Sequence, residues 1–340
     1  MRVLVAGGAG FVGSHLVDVL VERGDEVVVL DNLLTGSVAN LAHLPTERLS
    51  LVRGDAETAP DGDFDRVYHL ASPASPEAYG LHQVATLMAN SAGTKRLLDV
   101  AEHAHARFLL ASTSEIYGDP LVHPQPETYW GNVDPIGPRS MYDEGKRFSE
   151  ALTVAYVRER GADARIVRIF NAYGPRMQLN DGRMPSSFIA AALRNQPLPV
   201  HDDGTQTRSL CYVGDTAGGI LAAMERGRPG EVYNVGRSDE MTVVGFARAV
   251  IGAVGTKSAI EFIPGRSQDI QRRCPDSSKA ERELGWRATV DLARGLASTI
   301  AWYRTALEIS VPEEDYRDRD VVASGPGASM PDTDSRIPTD

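Results

Sequence analysis

The first half of the chain alternates short, almost continuous apolar segments with longer segments of helical periodicity. Strands that are apolar on both faces are typical of a parallel sheet covered by helices on its two sides. The pattern therefore predicts an α/β fold with a doubly wound parallel sheet. The predicted strands are 2–6, 26–31, 49–54, 65–71, 107–113 and 164–170, and the predicted helices are 11–23, 83–105 and 139–160.

The pattern changes after about residue 172, where loops rich in Gly, Pro and Arg separate shorter elements. We therefore expect residues 1–172 to form the sheet domain, which also receives segments around 200–228. Residues 173–310 then form mainly a smaller C-terminal lobe. Residues 311–340 are rich in Pro, Asp, Gly and Ser, a composition that predicts a disordered tail.

Composition narrows the classes of function. The chain has 340 residues, of which 42% are hydrophobic and 24% charged, and its net charge is −11. Nucleic acid and anionic membrane are therefore poor partners. Cys211 and Cys274 give neither a disulfide framework nor metal-ligand spacing, so we expect no metal. Without a signal-peptide pattern or a bilayer-spanning apolar run, a cytoplasmic location is expected.

A glycine-rich turn joins the first predicted strand to the first predicted helix. Gly7, Gly10 and Gly13 recur at every third position. Glycines there permit a tight turn and let backbone N–H groups approach a pyrophosphate at the helix N-terminus. Such turns also serve simple strand–helix packing, so this motif alone is a weak signal.

Two aspartates follow the second and third strands. Asp31 ends the second strand, where a carboxylate accepts hydrogen bonds from a ribose 2′-OH and repels a 2′-phosphate, which favours NAD over NADP. Asp55 follows the third strand and either bonds the adenine or shapes a turn. The fourth strand ends at His69-Leu70-Ala71-Ser72, where a cofactor edge is expected.

Tyr142 and Lys146 stand four residues apart on a predicted helix, so their side chains share a face. A lysine ammonium favours the phenolate, which can then act as a base. Ser112, Thr113 and Ser114 end the fifth strand and offer hydroxyls to a substrate alcohol. By itself the Tyr–Lys pair indicates two residues of an ordinary surface helix more often than a catalytic pair. Together with the glycine turn, it predicts hydride transfer at an alcohol carbon.

These motifs, with Asn90-Ser91-Ala92-Gly93-Thr94, resemble the extended short-chain dehydrogenase/reductases that act on nucleotide sugars. More narrowly, the chain resembles the UDP-glucuronate decarboxylase family over about residues 1–305. The stretches that carry the narrower likeness are 70–76, 111–120, 123–127, 142–147, 174–177 and 180–183.

The resemblance implies a Rossmann fold that holds recycled NAD, UDP-glucuronate as the small-molecule substrate, and a homodimer built on 83–105 and 139–160. It implies that the sheet domain binds NAD and that the smaller lobe binds the UDP-sugar. The cofactor-binding residues it implies are Gly7, Gly10, Phe11, Val12, Gly13, Asp31, Asn32, Asp55, Leu70, Tyr142 and Lys146.

The resemblance also implies a three-step reaction that gives UDP-xylose. Tyr142, helped by Thr113 and Lys146, takes the C4 hydroxyl proton while hydride passes to NAD. The resulting ketone makes the C5 carboxylate a β-keto acid, so CO₂ leaves, C5 is protonated, and hydride returns to C4. In the family, Ser114 and Glu115 match residues assigned to decarboxylation and reprotonation. Without the resemblance, Glu115 is equally well read as a carboxylate that stabilises a helix dipole.

An acidic protein needs local basic groups to bind a nucleoside diphosphate. The resemblance singles out Arg208 and Arg273, adds Asn171 for the diphosphate and Tyr79 near the sugar, and gives Glu115 a substrate contact. The chain departs from the family at two places. Cys274 occupies a position that is often lysine in the family, and residues 36–40 lack the basic residues that the family usually carries near the adenosine. The arginine candidates are Arg176, Arg183, Arg208, Arg272 and Arg273.

Several alternative functions stay open at this point. A UDP-sugar 4-epimerase or 4,6-dehydratase would share the fold, but related dehydratases carry an Asp where this chain has Ser114. A decarboxylase could also release the 4-keto pentose and NADH. A non-catalytic nucleotide sensor on the same fold would be favoured by loss of Tyr142 or Lys146, and both are present.

Overall fold

The computed structural model describes residues 1–265 and 270–309, so the tail expected at 311–340 lies outside the described residues. The strands in this part of the chain are β1 (Arg2–Ala6), β2 (Glu26–Asp31), β3 (Leu49–Arg53), β4 (Arg66–His69), β5 (Arg107–Thr113), β6 (Ala164–Ile169), β7 (Ala172–Tyr173), β8 (Leu198–His201), β9 (Thr207–Ser209), β10 (Cys211–Tyr212), β11 (Val232–Val235), β12 (Glu240–Thr242), β13 (Ile260–Ile263) and β14 (Arg272–Arg273).

The helices alternate with these strands through the first half and dominate the second. They are α1 (Phe11–Glu22), α2 (Pro76–Leu81), α3 (Gln83–Asn90), α4 (Ala92–His103), α5 (Ser140–Arg160), α6 (Met184–Leu193), α7 (Val213–Arg226), α8 (Val243–Val254), α9 (Ser278–Leu284) and α10 (Leu292–Ile309). Short 3₁₀ helices cover Val38–Asn40, Ala56–Thr58 and Ser114–Tyr117.

Seven parallel strands form the central sheet in the order β11-β6-β5-β4-β1-β2-β3. The predicted doubly wound fold is confirmed, and all six predicted strands are present with ends within two residues of the prediction. The seventh strand, β11, was not predicted. It follows helix α7, which packs against the same sheet.

The two faces of the sheet bury alternate residues of each strand, as the period of a β-strand requires. Val3 and Val5 of β1 pack in a cluster with residues of α1 and α7. Leu4 and Ala6 pack on the opposite face in a cluster with residues of α4 and α5. Both faces are therefore apolar, which explains the continuous apolar strands of the sequence.

The helix predicted over 83–105 is two helices, so that prediction is corrected. The break falls at Ser91, whose backbone has φ −113° and ψ −82°. The Ser91 hydroxyl does not cap the N-terminus of the second helix but donates a hydrogen bond to the Leu87 carbonyl. Asn90 Nδ2 donates a hydrogen bond to the Thr86 carbonyl. Side chains that bond the backbone in this way compete with the regular helical ladder.

Helix α5 has the predicted position. Phe148 and Ala155 are exposed on one side of it. The face that packs on the sheet instead includes the polar residues Lys146, Ser149 and Thr153. Helix α5 therefore buries catalytic candidates on one side and leaves an apolar side chain on the other.

The smaller lobe has its own core of apolar side chains from α6, α8 and α10 with strand β8. In its three-stranded sheet, β9 lies between β12 and β14. The domain division at residue 172, with added segments around 200–228, stays a prediction. Within the described part of the chain, no helix has both the length and the apolarity needed to cross a membrane.

Candidate active site

A cavity of about 1180 Å³ lies at the carboxyl ends of the sheet strands and extends to the smaller lobe. Ligands of open α/β sheets bind at this edge. Every predicted site residue except Lys146 and Arg272 lines it: Gly7, Gly10, Phe11, Val12, Gly13, Asp31, Asn32, Asp55, Leu70, Tyr79, Thr113, Ser114, Glu115, Tyr142, Asn171, Arg176, Arg183, Arg208 and Arg273. The fold thus brings residues from distant parts of the sequence to one cavity.

The glycine turn is packed so closely that side chains cannot be accommodated. Gly7 has φ +81°, and a Cβ there would lie 2.6 Å from backbone atoms of Leu70 and Ala71. A Cβ on Gly13 would lie 2.0 Å from the Gly7 carbonyl oxygen. Gly10 is the N-cap of α1 and provides no side-chain cap, and the first turn holds no acidic residue. The helix N-terminus therefore presents backbone N–H groups that suit a pyrophosphate.

The Asp31 carboxylate is fixed beside this turn. It accepts hydrogen bonds from the backbone N–H of Ala9 at 3.0 Å and of Leu33 at 2.9 Å. Burial raises the pKa of Asp31, and these two hydrogen bonds oppose the rise. Asn32 Nδ2 donates to Asp55 Oδ1 at 2.7 Å, so Asp55 is engaged with a neighbouring cavity residue. These features fit the ribose end of a dinucleotide.

Tyr142 and Lys146 share one face of α5, as their spacing predicts, and both are buried. Lys146 Nζ lies 6.0 Å from the Tyr142 ring centroid and donates to the Ala111 carbonyl at 2.8 Å. Burial lowers the pKa of Lys146 to about 7, although the charge of Glu150 opposes this. The pair therefore has the expected arrangement with an unexpectedly weakly basic lysine.

The phenol of Tyr142 differs from the expectation in its protonation. Burial raises its pKa, and a hydrogen bond with Thr113 only partly offsets the rise. Thr113 Oγ1 also accepts the Glu115 backbone N–H at 3.2 Å. The sequence argument that Lys146 makes the phenol a base near neutral pH thus omitted the larger effect, which is burial.

Tyr79 lies directly on Tyr142. The two rings stack with centroids 5.1 Å apart and planes 10° apart. The Tyr79 hydroxyl is buried and has no hydrogen-bond partner among the described residues. Burial raises its pKa to about 12. A neutral aromatic ring thus covers the phenol, at the position that the sequence assigned to the sugar.

Glu115 is held by two guanidinium groups from distant segments. Its Oε2 accepts Arg139 Nη2, its Oε1 accepts Arg273 Nη1, and Arg273 Nη2 lies 3.2 Å from Oε2. Burial alone would raise the pKa of Glu115, but the charges of Arg273 and Arg139 outweigh it and lower the pKa. Burial and the Glu115 charge raise the pKa of nearby Asp143 to about 7. Glu115 is therefore more than a helix-dipole carboxylate.

Two of the arginine candidates lie side by side in the smaller lobe. Arg208 of β9 and Arg273 of β14 are register partners in the parallel pair. Arg208 Nη1 donates to the Thr207 carbonyl at 2.8 Å. Asn171 Nδ2 is buried without a hydrogen-bond partner in the described structure, as expected of a group that awaits a ligand. These three residues form a polar end to the cavity.

Each of the other three arginine candidates is paired with an acidic side chain. Arg176 forms an ion pair with Asp18 of α1 at 2.8 Å, and Arg183 bonds Asp181 with its guanidinium 5.9 Å from the Phe11 ring. Both therefore lie towards the glycine turn. Arg272 bonds Glu240 at 3.0 Å and does not line the cavity. Its candidacy is thus not supported.

Arg139 was missed by the sequence reasoning. It precedes α5 by one residue and Tyr142 by three, and nothing in that spacing indicates contact with Glu115. Its proximity to the motif that contains Tyr142 was the one available signal. Among the described residues, no group of three His, Cys, Asp or Glu side chains could hold a metal.

The chain is similar to proteins of known activity. UDP-glucuronic acid decarboxylase 3 of Arabidopsis thaliana is 48% identical over 311 residues, which is 91% of each protein. The dTDP-glucose 4,6-dehydratase of Streptomyces venezuelae, solved with NAD and TYD bound, superposes with a TM-score of 0.81 and 33% identity over 90% of this chain and 97% of that one.

A third similar protein is the UDP-glucuronic acid 4-epimerase of Bacillus cereus, solved with UDP-glucuronic acid and NAD. It superposes with a TM-score of 0.80 and 27% identity over 90% of this chain and 100% of that one. Residues 3–236 match the family model described as the NAD dependent epimerase/dehydratase family. With the glycine turn, the fixed Asp31 and the buried Tyr142–Lys146 pair already in place, this chain belongs to the NAD dependent epimerase/dehydratase family and uses NAD.

Proposed function

We propose that this protein decarboxylates UDP-glucuronate to UDP-xylose by C4 oxidation, CO₂ loss and C4 re-reduction. The observation that carries the proposal is the partly buried Glu115, held by Arg139 and Arg273 in the cavity that also contains Tyr142. Similarity to UDP-glucuronic acid decarboxylases at 48% identity over most of the chain supports the same reaction.

The cofactor is assigned to the sheet side of the cavity. The uncapped N-terminus of α1, opened by Gly10, would hold the pyrophosphate, and Asp31, fixed by the Ala9 N–H, would accept hydrogen bonds from the adenosine ribose. The remaining contacts to the adenosine and the nicotinamide are assigned to Asn32, Asp55 and Leu70. Bound NAD supplies the capacity to accept hydride from C4 and to return it. The positions of Arg176 and Arg183 beside α1 support a contribution to this side of the cavity.

Tyr142 is assigned to the proton of the C4 hydroxyl. The Thr113 side chain interacts with the phenol and lowers its pKa, so the two oxygens can share a substrate alcohol between them. Lys146 lies behind the pair, fixed on the Ala111 carbonyl, and its positive charge favours the phenolate when the proton moves. Oxidation removes the proton of the C4 hydroxyl and a hydride from C4, and it leaves a ketone at C4.

The ketone makes carbon dioxide a good leaving group. As the C5–CO₂ bond breaks, its electron pair enters the C4 ketone, so no metal is required as an electron sink. Arg208, Arg273 and Asn171 bind the uronate carboxylate and diphosphate. Glu115 and the buried Ser114 act at C5, where a proton replaces CO₂. Re-reduction of C4 then leaves the cofactor in the redox state that it had before the reaction.

A homodimer is proposed on the face of α3 and α5 that lies away from the sheet. Large apolar side chains are exposed there, with Val84 74% and Phe148 51% exposed, together with Leu87 and Met88. Exposed apolar patches of this kind mark interaction surfaces. A second copy of the same surface would bury them. We also propose a cytoplasmic location for the protein.

The test is an NMR assay of the purified protein with NAD and a panel of UDP- and dTDP-sugars. We expect UDP-glucuronate alone to react, giving UDP-xylose and CO₂, while Tyr142→Phe leaves it unchanged. Formation of UDP-galacturonate would indicate the 4-epimerase, and a dehydrated 4-keto-6-deoxy sugar would indicate the dehydratase. Release of the 4-keto pentose with NADH would indicate the incomplete reaction.

A further inference from the structure

The two arginines on Glu115 belong to parts of the molecule with different functions. Arg273 comes from β14 of the smaller lobe, beside Arg208. Arg139 comes from the N-terminus of α5, and its carbonyl accepts the backbone N–H groups of Tyr142 and Asp143 at 3.0 Å each. Arg139 therefore connects Glu115 to helix α5, which carries Tyr142, whereas Arg273 connects Glu115 to the smaller lobe.

A substrate carboxylate changes the balance of charge in this cluster. The proposed function places the uronate carboxylate against Arg273, whose guanidinium is now occupied by Glu115. A bidentate bond from the two Nη groups of Arg273 to a substrate carboxylate would compete with the bonds that these groups now make to Glu115. If Arg273 turned to the substrate with no second arginine present, Glu115 would keep a buried charge without a partner, which is unfavourable.

Arg139 can hold Glu115 while Arg273 turns. Its Nη2 already bonds Oε2, and its side chain is 28% exposed along the cavity wall. Two guanidinium groups would then face two carboxylates, and Asp143 stands next to them as a third carboxyl. Asp143 Oδ1 is buried without a hydrogen-bond partner in the described structure.

We propose that Arg139 is a positioning residue for decarboxylation, which keeps Glu115 charged and in place while Arg273 binds the carboxylate of the substrate. This inference rests on the proposed function. Arg139 and Arg273 make similar contacts with Glu115, but their roles differ. Arg273 acts on the substrate, and Arg139 acts through Glu115.

The first test compares Arg139→Met and Arg139→Lys with Arg147→Met as a matched control. Arg147 lies on the same helix and bonds the Ile116 and Trp130 carbonyls, so it supports the same 3₁₀ segment without touching Glu115. The readouts are UDP affinity by calorimetry, C4 oxidation by NADH absorbance, and CO₂ release.

We expect Arg139→Met to bind UDP normally and to oxidise C4 at a rate within about threefold of the wild-type rate. CO₂ release should fall roughly 10²-fold, the scale of a positioned acid–base group. Arg139→Lys should recover part of the loss, and Arg147→Met should leave the ratio of the two steps unchanged. Equal slowing of oxidation and decarboxylation in Arg139→Met, or unchanged CO₂ release, would overturn the proposal.

A second measurement needs no turnover and separates this inference from the proposed function. Thermal unfolding of Arg139→Met, Glu115→Gln and the double variant forms a cycle in the ligand-free protein. We expect the double variant to lose less stability than the sum of the single losses. Additive losses would show that Arg139 does not hold Glu115. If coupling is found but wild-type protein fails to decarboxylate UDP-glucuronate, the positioning role in that step falls with the proposed function.

Discussion

Replacing Lys146 with methionine should remove activity and, at neutral pH and below, make the ligand-free protein more stable. Lys146 is fully buried, its Nζ bonds only the Ala111 carbonyl among the described residues, and burial lowers its pKa to about 7 from 10.5. Methionine has a similar length and carries no charge. The side chain is therefore retained for function at a cost in stability.

The pKa shift sets the size of this effect. A difference of about 3.5 pH units, at 1.36 kcal/mol each, corresponds to a penalty of about 5 kcal/mol for charged Lys146 below pH 7. Loss of the bond to the Ala111 carbonyl offsets about 1–3 kcal/mol. We therefore expect Lys146→Met to be more stable by about 2–4 kcal/mol at pH 6.

The pH dependence gives the sharper test. The folded state binds fewer protons at Lys146 than the unfolded state between about pH 7 and 10.5, so wild-type stability gains with pH in that window. The advantage of Lys146→Met should thus shrink by about 1.4 kcal/mol per pH unit. Urea unfolding of both proteins from pH 6 to 9 measures it. A constant difference, or a less stable variant at pH 6, would refute the reasoning.

Four further variants test separate parts of the site and the proposed dimer face. Tyr142→Phe should abolish NADH formation on mixing with substrate and spare UDP binding; retained oxidation would remove the phenol from the mechanism. Glu115→Gln should slow CO₂ release roughly 10²-fold while C4 oxidation persists, and wild-type turnover would argue against a role for Glu115. Asp31→Asn should weaken NAD binding about 10–100-fold, as loss of a charged hydrogen bond predicts, and calorimetry would show it. Val84→Asp with Leu87→Asp should give monomers in light scattering, and an unchanged dimer would show that this face is not the interface.

The parallel sheet could be predicted because the apolar pattern of its strands is visible in the local sequence. A strand covered on both faces must be apolar at almost every position, and that signal is visible without any partner. Strand β11 was not predicted because it is short and contains the polar residue Asn234, which is fully buried. Asn234 Nδ2 donates to the Gln125 and Asp276 carbonyls, and its Oδ1 accepts the Tyr117 hydroxyl. Such long-range partners are absent from the local pattern.

The candidate site was predictable where a motif has fixed spacing. The glycine turn and the Tyr142–Lys146 pair place their groups through one strand–helix turn and one helix face. The contact between Arg139 and Glu115 depends on how two loops meet in three dimensions, so spacing carried no information about it. The raised pKa of Tyr142 likewise results from tertiary burial, which the sequence does not report.

The most direct test of the central claim is the stoichiometry of one reaction. Wild-type protein with NAD and UDP-glucuronate labelled with ¹³C at the carboxylate should release labelled CO₂ and UDP-xylose in equal amounts. NADH should not accumulate, because C4 is oxidised and then reduced. Retention of the label in the sugar nucleotide, or NADH formed in step with CO₂, would contradict the complete cycle.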